Sequence, residues 1–257
     1  MAQPVAGSRK VHGSKRVLDL VICLDISNSM NTKDMGGSDA SRLTAAKHAI
    51  SELLNQLKGE RIAVVVFAND AYTQLPLTMD YGAAKLFVPD IETSMISDQG
   101  TNIGRALQVA QEQFKDTESG KAVLVITDGE DHEELWKEQI TSLKKRNVEL
   151  AYLGLGSAKG GLIPNNPYDL SEGYKRENGQ AVLSRLDRKG LERMASESGS
   201  ILVTSDSPFP NVYDIAANYK NSKNKQVMKV EFNVDKNYFY IPATLALLCM
   251  ICSFFLP

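Results

Sequence analysis

The chain has 257 residues, 43% hydrophobic and 23% charged, with 29 Lys and Arg against 31 Asp and Glu, for a formal net charge of -2. That length suits one large domain or two small ones, the apolar fraction can fill a core, and the charge balance excludes a basic nucleic-acid-binding surface. Three cysteines make no disulfide framework and three histidines no His/Cys metal site, so any metal here needs oxygen ligands.

In chain order, Met1 to Arg16 is polar, with Arg9, Lys10, Lys15 and Arg16 but no apolar stretch of its own to complete a signal peptide. Leu18 to Leu24 is a Val- and Ile-containing run ending at Asp25, too short for a membrane span, and predicts a buried strand. Leu43, Ala46, Ile50, Leu53, Leu54 and Leu57 recur at helical spacing, and Gly59 breaks the pattern. Arg61 to Ala68 is a second buried strand, and Ala71 to Leu75 a short edge strand after an Asn69-Asp70 turn. Ile103, Leu107, Ala110 and Phe114 mark the face of a further helix. A strand at Ala122 to Thr127, a helix at Glu133 to Arg146 and a strand at Glu149 to Leu155 follow, with Gly154-Leu155-Gly156 read as a turn. Tyr174 to Ser184 predicts a hairpin around Asn178-Gly179, a dipeptide that accepts a type I′ turn. Asp187 to Ser198 is a helix and Ser200 to Thr204 a strand; Met228, Val230, Phe232 and Val234 alternate with polar residues, a strand signal for an edge.

Strands without polar alternation, separated by helices, imply a Rossmann-like, doubly wound, mostly parallel α/β sheet. The expected organisation is a polar segment at 1–16, the α/β domain at 17–219, a linker with an edge strand at 220–238, and a terminal helix at 239–257. Phe239 to Leu256 holds 18 residues without a charge, about 27 Å as a helix against a hydrocarbon core of about 30 Å. Aromatic residues at both ends suit the two interfaces, so this segment is expected to span a membrane. Cys249 and Cys252 lie in it and Cys23 in the first strand, all three as small hydrophobes.

Ligands of such sheets collect outside the carboxyl ends of the strands. There Asp25, Ser27 and Ser29 place three oxygen side chains at alternating positions after the first strand. Carboxylate and hydroxyl oxygens suit Mg²⁺, Mn²⁺ or Ca²⁺. Gly100-Thr101-Asn102 precedes a helix, and Thr127-Asp128-Gly129 ends a buried strand at the same edge. Without a metal, Thr101 reads as a helix N-cap and Asp128 as a turn residue. Glu130, Asp131, Glu133 and Glu134 read as acids of the following helix's first turn, and His132 as a solvated turn residue.

This combination resembles the von Willebrand factor A domain and its metal-ion-dependent adhesion site, over Val17 to about Tyr219. The resemblance implies that Ser27 and Ser29 coordinate an ion directly, Thr101 directly or through water, and Asp25 and Asp128 mostly through bridging waters. A partner's Asp or Glu would take the open position. The segments LDISNSM, SRLTAAKHAI, TDGEDH and YKRENGQAVLSRLD, with the closing apolar helix, more narrowly resemble the membrane-anchored bacterial aerotolerance (Bat) proteins. Members of that group commonly carry two membrane helices ahead of the domain, and Met1-Ala2-Gln3-Pro4 looks like the stretch that would follow the second, so a shortened chain is expected. The likeness implies a non-enzymatic module on the periplasmic side of a bacterial inner membrane, in an envelope-stress assembly with other such proteins and a MoxR-type AAA ATPase. The alternative is a Mg²⁺-dependent haloacid-dehalogenase-like phosphatase with Asp25 as nucleophile. Its general acid would stand two residues on, where this chain has Ser27, and a serine hydroxyl does not serve that proton transfer at neutral pH.

Overall fold

The apolar runs of the sequence become the strands of a central sheet in the computed structural model, which describes residues 5–114, 119–131, 135–221 and 226–237 together with Thr244 and Met250. In chain order the elements are β1 (Val5–Asp25), α1 (Arg42–Gln56), β2 (Arg61–Phe67), β3 (Ala71–Thr78), α2 (Tyr81–Phe87), α3 (Ile103–Gln113) and β4 (Gly120–Thr127). There follow α4 (Trp136–Lys145), β5 (Val148–Leu155), β6 (Gly161–Leu162), β7 (Arg176–Glu177), β8 (Gln180–Ala181) and β9 (Leu183–Ser184). The last are α5 (Arg188–Ser198), β10 (Ile201–Ser205), α6 (Tyr213–Lys220) and β11 (Gln226–Asn237). The chain divides into a larger unit, Val17–Gln226, and a smaller one formed by Met1–Arg16 and Val227–Pro257.

In the larger unit the strands lie in the order β10-β5-β4-β1-β2-β3. All neighbours are parallel except β3, which runs antiparallel to β2 at the edge. The sheet is therefore the mostly parallel, doubly wound one that the sequence predicts. Its central strands are covered on both faces. Leu20, Ile22 and Leu24 of β1 face one core, with Leu43, Ile50 and Leu53 of α1 and Ile215 and Tyr219 of α6. Val21 and Cys23 face the other, with Ile103 and Leu107 of α3, Trp136 and Leu143 of α4, and Leu191 and Met194 of α5. A strand that must bury both faces cannot alternate with polar residues, which is why these runs are continuous. Leu20, Ile22, Val64, Val66, Leu124 and Ile126, which lie in three of those runs, are all at most 2% exposed.

Several expectations need correction. β1 begins at Val5, inside the segment expected only to be polar. β5 runs to Leu155, as the strand expected at Glu149 to Leu155 has it, so of the turn read at Gly154-Leu155-Gly156 only Gly156 lies outside the strand. Gly154 lets α5 pack closely there: a Cβ would stand 2.6 Å from Leu191 Cδ1, which would have to move. The hairpin expected over Tyr174 to Ser184 is shorter: β7 and β8 pair around Asn178 and Gly179, both at positive φ, while β9 leaves to pair with β6. α4 begins at Trp136, and its first-turn acid is Glu138. His132, Glu133 and Glu134 lie outside the described residues. α2 and α6 carry no clear periodic signal and were not expected.

In the smaller unit the alternating residues Met228 to Asp235 fall within β11, which pairs with β1. Among the described residues no helix is long and apolar enough to cross a membrane. The span expected at Phe239 to Leu256, with Cys249 and Cys252, lies outside the described residues apart from Thr244 and Met250, both helical.

Candidate metal centre

The chain leaves β1 on one side of the sheet toward α1 and β2, and β4 lies on the other side of β1. The carboxyl ends of β1 and β4 thus flank the point where strand order reverses, where an open α/β sheet leaves a crevice. Asp25 is the last residue of β1, and Thr127, just before Asp128, the last of β4.

After Asp25 the chain is pinned to the sheet by Ile26 N–H donating to the Phe67 carbonyl at 2.7 Å, then turns through a short 3₁₀ helix, Asn28–Asn31. Ser27 N–H donates to Asp25 Oδ1 at 2.8 Å. The Ser27 and Ser29 hydroxyl oxygens stand 2.9 Å apart, both residues buried. The alternating spacing read from the sequence therefore becomes one cluster of oxygens. Thr127 Oγ1 donates to Asp25 Oδ2 at 2.6 Å, joining the β1 and β4 ends directly.

Thr101 reaches the same edge through its neighbours. Asn102 N–H donates to the Ala68 carbonyl at 2.8 Å, one residue beyond Phe67, which pairs with Asp25 in the sheet. Gln99 Oε1 accepts from Asn28 N–H at 2.8 Å, so the 99–102 loop grips the serine turn. The N-cap of α3 is Asn102, whose Oδ1 accepts from Arg105 N–H at 2.8 Å. The capping role considered for Thr101 thus belongs to its neighbour, and Thr101, half-buried, retains a hydroxyl for another use.

Asp128 is fully buried and is no mere turn residue. Its Oδ2 accepts from Arg42 at 2.8 Å. Arg42 is itself fully buried, and its guanidinium uses every donor. It holds Asp34 through two bonds (2.9 and 2.8 Å), Asp128 at 2.8 Å, Ser184 Oγ at 2.6 Å and the Ser184 carbonyl at 3.1 Å. A fixed five-donor fork suits such a junction, and a lysine could not replace it. Gly156 makes room for it: its φ is +133, and a Cβ there would stand 2.8 Å from Arg42 Nε.

The acids beside the site have jobs other than the one expected of them. Glu130 Oε1 accepts from Ser184 Oγ at 2.9 Å and from Arg185 N–H at 3.0 Å. Asp131 Oδ2 accepts from Ile103 N–H at 3.1 Å, at the start of α3. Sequence reasoning missed Arg42, Asp34, Gln99, Thr127 and Ser184 as parts of this centre. Arg42 at the first position of an amphipathic helix looks like a solvated residue, and no local pattern announces its burial.

Electrostatically the centre lacks positive charge. Burial, then the neighbouring Asp128 carboxylate, push the Asp25 carboxyl up to about 7, against the bonds from Ser27 and Thr127 that favour its ionised form. Burial also works against ionised Asp34, but its bonds to Arg42 and Ser157 outweigh that and hold its carboxyl below the usual range. Asp34 and Asp128 both pair with the Arg42 guanidinium, while Asp25 is bonded only to Ser27 and Thr127 and has no cation against it, so a divalent cation at the serine turn would favour its ionised form. Among the described residues no group of three or more His, Cys, Asp and Glu is placed to hold a metal. A donor set here is instead hydroxyls supported by carboxylates, which fits a hard divalent ion.

Residues 20–130 match the von Willebrand factor type A domain family. Among solved structures, the chain is similar to BatB from Bacteroides thetaiotaomicron, with 36% identity and a TM-score of 0.72 over 80% of this chain and 98% of that one. It is also similar to an aerotolerance-related membrane protein from Bacteroides fragilis, with 34% identity and a TM-score of 0.70 over 81% of this chain and all of that one. Proximal thread matrix protein 1 from the mussel byssus, solved with zinc in its metal-ion-dependent adhesion site, shares the fold at 18% identity and a TM-score of 0.57, over 87% of this chain and 50% of that one.

Proposed function

The chain belongs to the von Willebrand factor type A proteins of the Bat, aerotolerance-related kind, and from that footing we propose that it binds protein partners without catalysis, through a divalent ion held by Asp25, Ser27, Ser29, Thr101 and Asp128. The observation that carries this reading is the paired Ser27 and Ser29 hydroxyls, 2.9 Å apart, at the reversal point of the sheet beside two fully buried carboxylates. When bound, the ion supplies a Lewis-acidic position that a partner's Asp or Glu can occupy. Ser27 and Ser29 contribute neutral oxygens, so the direct donors leave the ion electron-poor toward an incoming carboxylate. Asp25 and Asp128 supply charge from behind them, and Arg42 and Thr127 fix the directions of their oxygens. Mg²⁺ is the expected ion, with Mn²⁺ and Ca²⁺ as alternatives of the same ligand preference. The zinc in the mussel protein's motif is consistent with a metal on this fold.

Catalysis is disfavoured by chemistry. A phosphatase using Asp25 would need a carboxylic acid two residues on, and Ser27 there is engaged with Ser29.

The uncharged segment Phe239 to Leu256 is proposed as a membrane anchor in a bacterial inner membrane, with the α/β unit on the periplasmic side. The Bacteroides fragilis relative is described as a membrane protein. Other membrane-anchored proteins of this family and a MoxR-type AAA ATPase are the proposed partners. The test is capture from detergent-solubilised membranes with wild type and Ser27→Ala in parallel. Partners held by wild type should be released by chelation and absent from Ser27→Ala; partners retained in both conditions would contradict metal-bridged recognition.

A further inference from the structure

A groove of about 630 Å³ borders the serine turn. Its size lies within the range of ligand sites, roughly 300–1,000 Å³. Asn28, between the two proposed serine ligands, and Asn31 line it. The 91–99 loop forms one wall, the insertion between β5 and α5, at 165–168 and Glu172, another, and the start of α1 with Lys47 also lines the groove.

Both walls are braced. Asn31 Nδ2 donates to Thr93 Oγ1 at 2.8 Å, and Gln99 ties Asn28 to the Thr93 carbonyl. Tyr168 Oη donates to Glu92 Oε1 at 2.7 Å, linking the insertion to the 91–99 loop. Asn166 Nδ2 donates to Glu172 Oε1 at 2.8 Å. At its far end the insertion is locked to the Asp128 loop by Arg42, Ser184 and Glu130. A groove built this way is formed before a ligand arrives, which lowers the ordering cost of binding.

Four of its polar groups are uncommitted. Among the described residues, the Asn28 side-chain amide, the Ser97 hydroxyl and the Lys33 and Asp39 charges have no protein partner, whereas Lys47 donates to the Pro89 carbonyl and Glu92 and Glu172 are engaged. A half-buried amide that both donates and accepts matches a peptide group. One free charge of each sign matches side chains of mixed sign. A highly anionic ligand such as a nucleotide would meet three carboxylates, Asp39, Glu92 and Glu172, against two lysines, Lys33 and Lys47, and an apolar ligand would leave the amide unpaired at a cost.

We propose that this groove seats an extended peptide segment of the partner, the segment whose Asp or Glu reaches the metal centre, and that the insertion between β5 and α5 reads the residues flanking that acid. The proposal rests on the metal reading above and adds to it where the partner's chain runs and which element selects it.

The test pans displayed heptapeptides, each with one fixed central aspartate, against the full chain in Mn²⁺, and carries the selected peptides to groove variants. Ser97→Trp narrows the groove and Lys33→Glu reverses its free cation; neither residue is a proposed metal ligand. Each should weaken the selected peptides about tenfold or more, the loss of at least one good polar contact, and leave the Mn²⁺ isotherm unchanged. Peptides that bind both variants as well as wild type would overturn the groove while leaving the metal centre standing. So would failure to select any peptide from a protein that binds Mn²⁺. Absence of Mn²⁺ binding in wild type would remove the underlying reading itself.

Discussion

Arg42→Met tests the electrostatic logic of the site without touching a proposed ligand. The substitution keeps much of the side chain's volume and removes all five donors. Asp128, fully buried, loses its ion pair, and Asp34 loses two of its bonds but keeps those from Ser157 N–H and Oγ. Removing one partner of a buried ion pair typically costs about 3–5 kcal/mol, because the remaining charge stays buried and uncompensated. Most of that loss should come from Asp128, since Asp34 retains other donors. Trp136 is the only tryptophan, is 1% exposed in the core, and so reports unfolding by fluorescence. Urea unfolding of Arg42→Met followed this way should give a stability about 3–5 kcal/mol below wild type. Adding Asp128→Asn to that background removes the stranded charge and should recover part of the loss, a coupling that a double-mutant cycle isolates. If Arg42→Met lies within about 1 kcal/mol of wild type, or Asp128→Asn makes it worse, the buried pair is not organised as described.

Three further outcomes follow from the same structure. Val66→Asp puts an unpaired charge into a central strand at a site 2% exposed; it should cost several kcal/mol by urea titration. Gly156→Ala combines a φ of +133 with a Cβ 2.8 Å from Arg42 Nε, and should lower the thermal midpoint by several degrees, an effect on the order of 1–3 kcal/mol. The Asp70 carboxyl is held down at about 2 from 3.8, chiefly by its bond from Arg105. A depressed carboxyl stabilises the fold above its unfolded value and loses that contribution as pH falls toward its folded one. The small stability gap between wild type and Asp70→Asn should therefore close as pH is lowered from 3.8 toward 2, and a gap that widens would refute the assignment.

The parts of this protein written in local patterns were the parts legible in its sequence. Apolar runs announced β1, β2, β4 and β5 because a strand buried on both faces has no room for polar alternation. The helical spacing of Leu43 to Leu57 became the buried face of α1. Asp25, Ser27 and Ser29 were readable because their spacing and their place after a strand are both local. Arg42 was not. Its partners Asp34, Asp128 and Ser184 lie 8, 86 and 142 residues away, and a charge at a helix start ordinarily faces water. Gln99 was hidden for the same reason, since its partner Asn28 lies 71 residues away. Gly154 lies within β5, as the run from Glu149 to Leu155 implies, and Leu191 of α5 occupies the space a side chain there would need.

The central claim is that the hydroxyls of Ser27 and Ser29 hold a divalent ion. Calorimetric titration of Mn²⁺ into wild type, Ser27→Ala and Ser29→Ala measures it directly, with urea unfolding run alongside to confirm that each variant is folded. Wild type should bind one Mn²⁺ per chain, and each alanine variant should lose about tenfold or more in affinity, with stability changed by no more than about 1 kcal/mol. Isotherms that superimpose across the three folded proteins, or no heat of binding in wild type at millimolar ion, would contradict the account.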